Sequence, residues 1–221
     1  MSNRHYFKIL SAVLGAWMLL GGIAVAPSAA VAAESSWQLK KDEDGVRVEV
    51  RKVEGSSILE FKGTVMLDAS LDAATRFFEV DGRIPDWFYQ CSEARLIEAK
   101  SPLDKLLYFV ISMPWPVQDR DLVFRRVHTI DPATGAVEYK TSSEPQGYPK
   151  QKGKTRMPYL KGLWRFTPLA DGRTGMCYQQ HSEVGGHIPD WLVNKLAVNI
   201  PFHSLSRFRE LMLKEKAAKV L

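Results

Sequence analysis

The sequence predicts an α+β domain in which a curved antiparallel sheet wraps around one long C-terminal helix. Three observations lead to this fold class. Two segments within residues 46–67 alternate apolar and polar side chains, about six more strand-like segments follow between residues 93 and 184, and the chain ends in a long helical pattern. A sheet of this size has an apolar face that must be covered, and only the final helix is long enough to cover it.

The N-terminal part of this domain predicts four short elements after a first turn. Residues 35–43 predict a helical turn around a tryptophan, and residues 46–50 and 59–67 predict strands because apolar side chains recur at every second position. A helix is expected over residues 68–78. A second, shorter helix is expected at Ile84-Pro85-Asp86-Trp87, where proline and aspartate suit a first helical turn.

The remainder predicts a block of strands and one long helix. Turn residues such as those at 131–135 separate six strand-like segments: 93–100, 105–113, 121–131, 136–143, 160–168 and 174–184. The final helix is expected from Pro189 to about Ala218, with an interruption at Pro201 because proline removes a helical hydrogen bond. Its apolar stripe follows four-residue spacing at Ile188, Leu192, Leu196 and Ile200 and continues at Leu205, Phe208 and Met212.

Composition and charge exclude several classes of protein. The chain has 221 residues, 45% of them hydrophobic, with 15 glycines and 12 prolines, which suits one globular domain and not a collagen-like or disordered chain. Lys and Arg number 30 against 25 Asp and Glu. Arg4 and Lys8 precede the first acidic residue, so residues 34–221 hold 28 bases and 25 acids, a net charge of +3. This mild excess does not call for a nucleic acid partner.

The first 33 residues predict a secretory signal peptide. Arg4 and Lys8 give a positive start, residues 9–26 carry no charge, and small residues surround a cleavage site near residues 30–32. The competing interpretation is an uncleaved anchor, because the uncharged run is just long enough to span a bilayer. In both cases residues 34–221 form one domain outside the cytoplasm, either periplasmic or secreted.

Three motifs, taken together, resemble those of START (StAR-related lipid transfer) domains. Residues 114–126 (PWPVQDRDLVFRR) are similar to that family's proline, Arg-Asp and strand signature, residues 148–156 to its loop with Lys-Gly and arginine, and residues 185–194 to the start of its C-terminal helix. The resemblance spans about residues 37–217. It implies a helix-grip fold with an internal hydrophobic cavity under that helix, and the binding or transfer of one lipid or sterol. Most members studied are cytoplasmic, so the export segment is a departure.

Arg126 is the first candidate for a polar group inside such a cavity. On a strand over 121–131 it shares a face with Leu122 and Phe124, where a lone arginine is costly unless it is paired. The resemblance matches it to an arginine that points into the cavity in some members. The acidic partner that those members carry on the preceding strand has no clear counterpart here. A contact with ligand and a structural bond to backbone or to Glu144 are both open.

Alternation and helical spacing supply the other candidates for the cavity lining. Together with Arg126, the predicted ligand-binding residues are Phe109, Met113, Phe124, Tyr139, Thr141, Trp164, Tyr178, Gln180, Leu192, Leu196 and Ile200. Polar tips among them would orient a mainly apolar ligand. Each residue, taken alone, fits an ordinary core position equally well.

Other polar clusters favour structural or surface roles. Asp119-Arg120-Asp121 stands at the start of a strand, and His181 and Glu183 share one strand face, where general acid–base work is the alternative. The densest basic cluster consists of Lys150, Lys152, Lys154, Arg156 and Lys161, and it suits either solvated charge or contact with anionic headgroups.

The positions of the cysteines and histidines in the sequence do not predict a metal site. Cys91 and Cys177 leave a disulfide and two buried thiols both open. The histidines of the domain are scattered, so the spacing of metal ligands is missing and no cofactor is expected.

Three functions compete at this point. The first is an exported, non-enzymatic carrier for one sterol, fatty or phospholipid ligand, a monomer that contacts a membrane transiently and opens at a Pro201 hinge. The second is a helix-grip enzyme of the polyketide cyclase or aromatase type, for which Arg126, His181 and Glu183 are the candidate groups. The third is an envelope interaction module with a filled core.

Overall fold

The strands of the domain join into a single sheet. A computed structural model describes residues 36–218, and the predicted signal segment 1–33 lies outside them. The strands are β1 (Gln38–Glu43), β2 (Val46–Arg51), β3 (Glu60–Leu67), β4 (Cys91–Ser101), β5 (Asp104–Ile111), β6 (Arg120–Ile130), β7 (Val137–Ser143), β8 (Thr155–Arg156), β9 (Tyr159–Pro168) and β10 (Thr174–Glu183). The helices are α1 (Leu71–Phe78), α2 (Ile84–Trp87) and α3 (Asp190–Ala218), and a 3₁₀ turn (Asp81–Arg83) precedes α2.

The order of the strands confirms the predicted fold class. Nine strands follow one antiparallel path, β1-β2-β3-β10-β9-β7-β6-β5-β4, and the two-residue β8 pairs in parallel with β6. The pairing of β3 with β10 joins the first hairpins to the last strand of the chain. The sheet curves around α3, which packs mainly on β2 and β3.

Residues 38–43 form β1, so the predicted helical turn over 35–43 is wrong. Asp44 and Gly45 both have positive φ, at 49° and 68°, and they join β1 to β2 as a two-residue hairpin turn. The Asp-Gly dipeptide was the available signal, because such a turn requires positive φ at both positions. β1 is an edge strand that pairs on one side, with β2, from Gln38 to Glu43. The short β8, which the sequence analysis missed, has no periodic signal.

α3 runs without a break from Asp190 to Ala218, so the predicted interruption at Pro201 is wrong. A proline inside a helix removes one backbone hydrogen bond. Phe202, Leu205 and Phe208 are all buried in the main core beside it. Their packing against the sheet holds the helix continuous across the proline.

The close approach of α3 to β3 depends on Gly63. A Cβ atom placed on Gly63 would lie 2.7 Å from Leu205 Cδ1 and 3.1 Å from Pro201 Cβ. Real Cβ atoms do not approach other carbons so closely, so any side chain here would push the helix and the strand apart. The lack of a side chain at Gly63 therefore allows the short distance between α3 and β3.

Replacing Gly63 with alanine is expected to lower the free energy of unfolding by about 1–3 kcal/mol, as overpacking does in other cores. Urea denaturation measures this change. The matched control is Gly82→Ala, because an added Cβ at Gly82 meets nothing within 4 Å and its φ is not positive. The control should change stability by less than about 0.5 kcal/mol, and equal effects of the two substitutions would contradict this account.

The two cysteines are separate free thiols. Cys91 lies on edge strand β4 and Cys177 on β10, with β9, β7, β6 and β5 between them in the sheet. Burial raises the pKa of Cys91 to about 12 and raises that of Cys177 as well. Of the two alternatives, the structure therefore has the thiols and not the disulfide.

Candidate functional site

A cavity lies between the sheet and α3. It offers about 100 Å³ to the centres of water-sized molecules, several times what one water needs. Six strands form its walls, α3 forms its roof, and α1 and α2 close one end. Of its 26 lining residues 21 are apolar, so the space suits hydrocarbon better than water. This hollow argues against the filled core that an interaction module was expected to have.

The structure places ten of the twelve predicted binding residues at the wall of this cavity. They are Phe109, Met113, Phe124, Arg126, Thr141, Trp164, Tyr178, Gln180, Leu196 and Ile200. Most of them were predicted from the alternation of side chains along the strands, because every second side chain lies on the same face of a sheet. Their contact with a ligand stays a prediction.

Tyr139 lies away from the cavity, contrary to its predicted place in the lining. Phe78 of α1 covers it, with ring centroids 4.7 Å apart, and its hydroxyl donates to Glu79 Oε1 at 2.8 Å. The side chain is thus buried on the correct face of β7 but beyond the end wall. The sequence does not show at which position along β7 the helix α1 packs against it.

Leu192 also lies away from the cavity, and the predicted four-residue stripe is wrong at this end of α3. The residues that α3 presents to the cavity are Val193, Leu196, Ala197 and Ile200. A helix has 3.6 residues per turn, so each step of four residues rotates the side chain by about 40°. Leu192 therefore points away from the cavity, whereas Val193 and Ala197 face it.

The sequence analysis missed both ends of the cavity. The missed residues, other than Val193 and Ala197, come from the helices of the end wall, from five strands and from the connecting loops: Ile58, Leu59, Phe61, Phe78, Ile84, Trp87, Phe88, Ile111, Arg120, Leu122, Met157, Leu160, Ser182 and Val184. Leu122 and Arg120 share the parity of Arg126 on β6, and that signal was available. The loop residues carried no periodic signal.

Arg126 has an acidic partner, which comes from the 3₁₀ turn and not from the preceding strand. Arg126 Nη2 donates to Asp81 Oδ1 at 2.6 Å, and only 5% of the Arg126 side chain and 13% of the Asp81 side chain are exposed. Lys105 Nζ lies 3.1 Å from Asp81 Oδ2. Glu144 pairs with Arg125 on the opposite face of β6, so the suggested bond between Arg126 and Glu144 is wrong.

A row of polar groups crosses four neighbouring strands inside the cavity. Arg126 pairs in register with Thr141, Thr141 with Gly162, and Gly162 with Gln180. A Cβ on Gly162 would lie 2.7 Å from Thr141 Oγ1, so this glycine keeps the row accessible. The Thr141 hydroxyl is buried without a hydrogen-bond partner in residues 36–218. Gln180 Oε1 accepts from Tyr178 at 2.8 Å, which leaves the amide N–H groups of Gln180 for other partners.

Of the other polar clusters, Asp119-Arg120-Asp121 contributes Arg120 to the wall of the cavity, whereas the His181–Glu183 pair faces away from it. On β10 the inward residues are Tyr178, Gln180 and Ser182, so His181 and Glu183, 3.3 Å apart, lie on the opposite face. Of the three candidate acid–base groups, only Arg126 borders the cavity. In residues 36–218 no three potential metal ligands lie together, and no helix combines the length and apolar character needed to cross a bilayer.

The basic cluster divides into two kinds of residue. Arg156 pairs with buried Asp121 at 2.9 Å and donates to the carbonyl oxygens of Tyr148 and Pro149, so it holds the loop in place. The solvent-exposed members are Lys150, Lys152 and Lys161, and Lys154 is half-buried. The charge that remains available to a partner is thus carried by the lysines.

Comparison with known proteins agrees with this fold. The START domain family matches residues 29–217. A STAR-related lipid transfer protein (fragment 25–204) from Xanthomonas axonopodis is 34% identical, the match covers 80% of this chain and 98% of that one, and the TM-score is 0.74. An uncharacterized protein of Pseudomonas aeruginosa is 35% identical over 173 residues, 78% of this chain and 85% of its own length. The phosphatidylcholine transfer protein of Mus musculus is 25% identical over 172 residues, 75% and 78% of the two chains. The chain therefore belongs to the START domain family.

Proposed function

We propose that this protein is an exported, non-enzymatic carrier that holds one lipid molecule in the cavity beneath α3. The observation that carries the proposal is the apolar hollow itself, roofed by a helix and crossed by a row of polar groups. The relatives named for lipid transfer support it. A cyclase-like enzyme needs a positioned acid or base, and His181 and Glu183 lie on the wrong face of β10 for that role.

The energetics suit a carrier, which must both load and unload. Burial of about 400 Å² of ligand hydrocarbon contributes roughly 10 kcal/mol before costs. The lost freedom of the ligand and the ordering of the protein cancel much of this. Because a membrane offers the same hydrocarbon surroundings, the net preference for the protein is small, and a sterol, fatty or phospholipid cargo can leave again.

Loading requires an opening, and the contact that closes the cavity is between α3 and the loop before β3. Asn194 Oδ1 accepts from Leu59 N at 3.0 Å, and Asn194 Nδ2 donates to Ser57 O at 3.2 Å. Ile58 and Leu59 of that loop border the cavity. One amide side chain thus fastens the roof to the wall, and the cavity opens when this pair of hydrogen bonds breaks.

Native mass spectrometry of the protein purified from its own compartment tests the carrier function. We expect a copurified lipid at about one per chain, and we expect the delipidated protein to take up one lipid class again. Intact mass on the same sample tests export, because a mature chain must then begin near residue 31–34. A delipidated protein that binds no lipid class would refute the carrier, and a chain that keeps Met1 would refute the cleaved signal.

A membrane-facing surface adjoins the cavity. Trp115 in the β5–β6 loop is 93% exposed, and Trp191 in the first turn of α3 is 68% exposed. The loop of Trp115 is tied to the basic loop, since Thr155 N donates to Asp119 O at 2.9 Å. Arg120 links the same loop to the segment before α3, because it donates to the carbonyl oxygens of Gln118 and Gly185. Exposed indoles favour the boundary between water and lipid, and lysines are attracted to anionic headgroups. We define the docking surface as Trp115, Trp191, Lys150 and Lys152.

Vesicle flotation tests this surface. Replacing both tryptophans with alanine is expected to weaken binding to vesicles of phosphatidylglycerol and phosphatidylcholine about tenfold. Replacing Lys150 and Lys152 with glutamine should weaken binding only where the vesicles are anionic, and the loss should shrink at high salt. The matched control is Ile130→Ala, an apolar residue 63% exposed at the opposite end of β6. An equal loss in the control would remove the docking surface from the proposal.

A further inference from the structure

Two arginines border the cavity on the same face of β6, and only one of them forms an ion pair within residues 36–218. Arg120 and Arg126 are six residues apart with Leu122 and Phe124 between them, which at about 3.4 Å per residue separates them by about 20 Å. Asp81 neutralises Arg126. Arg120 is only 3% exposed, yet within residues 36–218 no carboxylate pairs with it. Its hydrogen bonds go to the backbone carbonyls of Gln118, Val184 and Gly185.

The acids closest to Arg120 in sequence are engaged elsewhere. Asp121 pairs with Arg156, and Asp119 Oδ1 accepts from Met113 N at 3.0 Å. Burial lowers the pKa of Arg120 and the charge of Asp119 raises it, and a guanidinium titrates so far above neutral pH that the group stays charged. Three of its five N–H groups are used by the carbonyls, so two remain. The charge of Asp119 acts on Arg120 through space without forming an ion pair, and a buried guanidinium that forms no ion pair is stabilised when an anion joins it.

The backbone approaches this guanidinium closely at two glycines. Gly185 and Gly186 both have positive φ, at 65° and 71°. A Cβ on Gly186 would lie 3.1 Å from Arg120 Nη2, so a side chain there would crowd the group. The two glycines let the backbone pass close to Arg120, at the end of the cavity where β10 leads into α3.

We propose that Arg120 binds the anionic group of the cargo, so that this carrier takes a lipid that bears a carboxylate or a phosphate. The hydrocarbon of the lipid then runs along Leu122 and Phe124 toward the end wall at Phe78. This inference rests on the proposed carrier function and narrows its cargo. A neutral lipid would leave Arg120 without an ion pair.

Titration of the delipidated protein with amphiphiles of one chain length tests the inference. The ligands are a fatty acid, its one-chain glycerophosphate ester and the corresponding fatty alcohol, with inorganic phosphate alone as a fourth arm. We expect wild type to bind at least one anionic lipid tenfold or more tightly than the alcohol, and phosphate alone not to compete. Arg120→Gln should abolish this preference, and Arg120→Lys should keep part of it. Arg76→Gln, on the exposed face of α1, is the control for loss of a positive charge.

The outcomes separate this inference from the carrier function. Equal binding of the alcohol and both anionic lipids by wild type overturns the inference and leaves the carrier standing, and that comparison needs no variant. A folded Arg120→Gln protein that keeps the preference for anions overturns it too. Tight binding of inorganic phosphate alone would show a free-anion site in place of a lipid site. Failure to bind any of the lipids defeats the carrier function itself.

Discussion

Replacing Ala197 with tryptophan is expected to abolish lipid binding and to leave the fold intact. Ala197 faces the cavity from the roof and is 8% exposed. An indole placed there projects into the cavity and takes up space that the ligand would use. Native mass spectrometry should find the bound lipid reduced from about one per chain to almost none, the largest functional effect that a single substitution is expected to have here.

The matched control for this substitution is Lys195→Trp. Lys195 lies two residues away on α3, is exposed and does not border the cavity. It should keep lipid at the level of wild type. Filling a cavity with a larger side chain typically costs about 1–3 kcal/mol where it overpacks, so urea denaturation should show both variants folded. Normal lipid content in a folded Ala197→Trp protein would show that the ligand lies somewhere else.

Replacing Asp81 with asparagine is expected to cause the largest loss of stability, about 3–5 kcal/mol. The substitution leaves the buried charge of Arg126 without its partner at 2.6 Å, and an uncompensated buried charge costs more than the pair contributes. Urea denaturation at neutral pH measures the loss. The pair also ties the turn before α2 to β6, so the end wall of the cavity should loosen together with it.

A double-mutant cycle separates the charge effect from a general loss of packing. Arg126→Met combined with Asp81→Asn removes both charges, so it should be less destabilised than the sum of the two single variants. Lys105→Met removes the other, more exposed partner of Asp81 and should cost about 1 kcal/mol or less. Strict additivity across the cycle would contradict a direct interaction between Arg126 and Asp81.

Local patterns predicted the elements because local chemistry forms them. Ser70 caps α1 by accepting from Ala73 N, as expected for a helix that opens at that serine. The six predicted strands of the second half end within two residues of the observed ones. On β5 the pattern was ambiguous, because Leu106, Tyr108 and Val110 are buried in a second cluster under Tyr148 on the outer face. A covered outer face makes both sides of a strand apolar, and alternation then carries no information.

The sequence by itself determined the order and type of most elements, the inward parity of β6, and the helix that roofs the sheet. These follow from the period of the side chains along one segment, which depends only on neighbours in the chain. Tertiary structure alone decided that Asp81 neutralises Arg126 from 45 residues away, that Arg120 forms no ion pair within the described part of the chain, and that Phe78 ends the cavity before Tyr139. Each of these depends on how separate segments meet, and packing of the whole chain sets that to within ångströms.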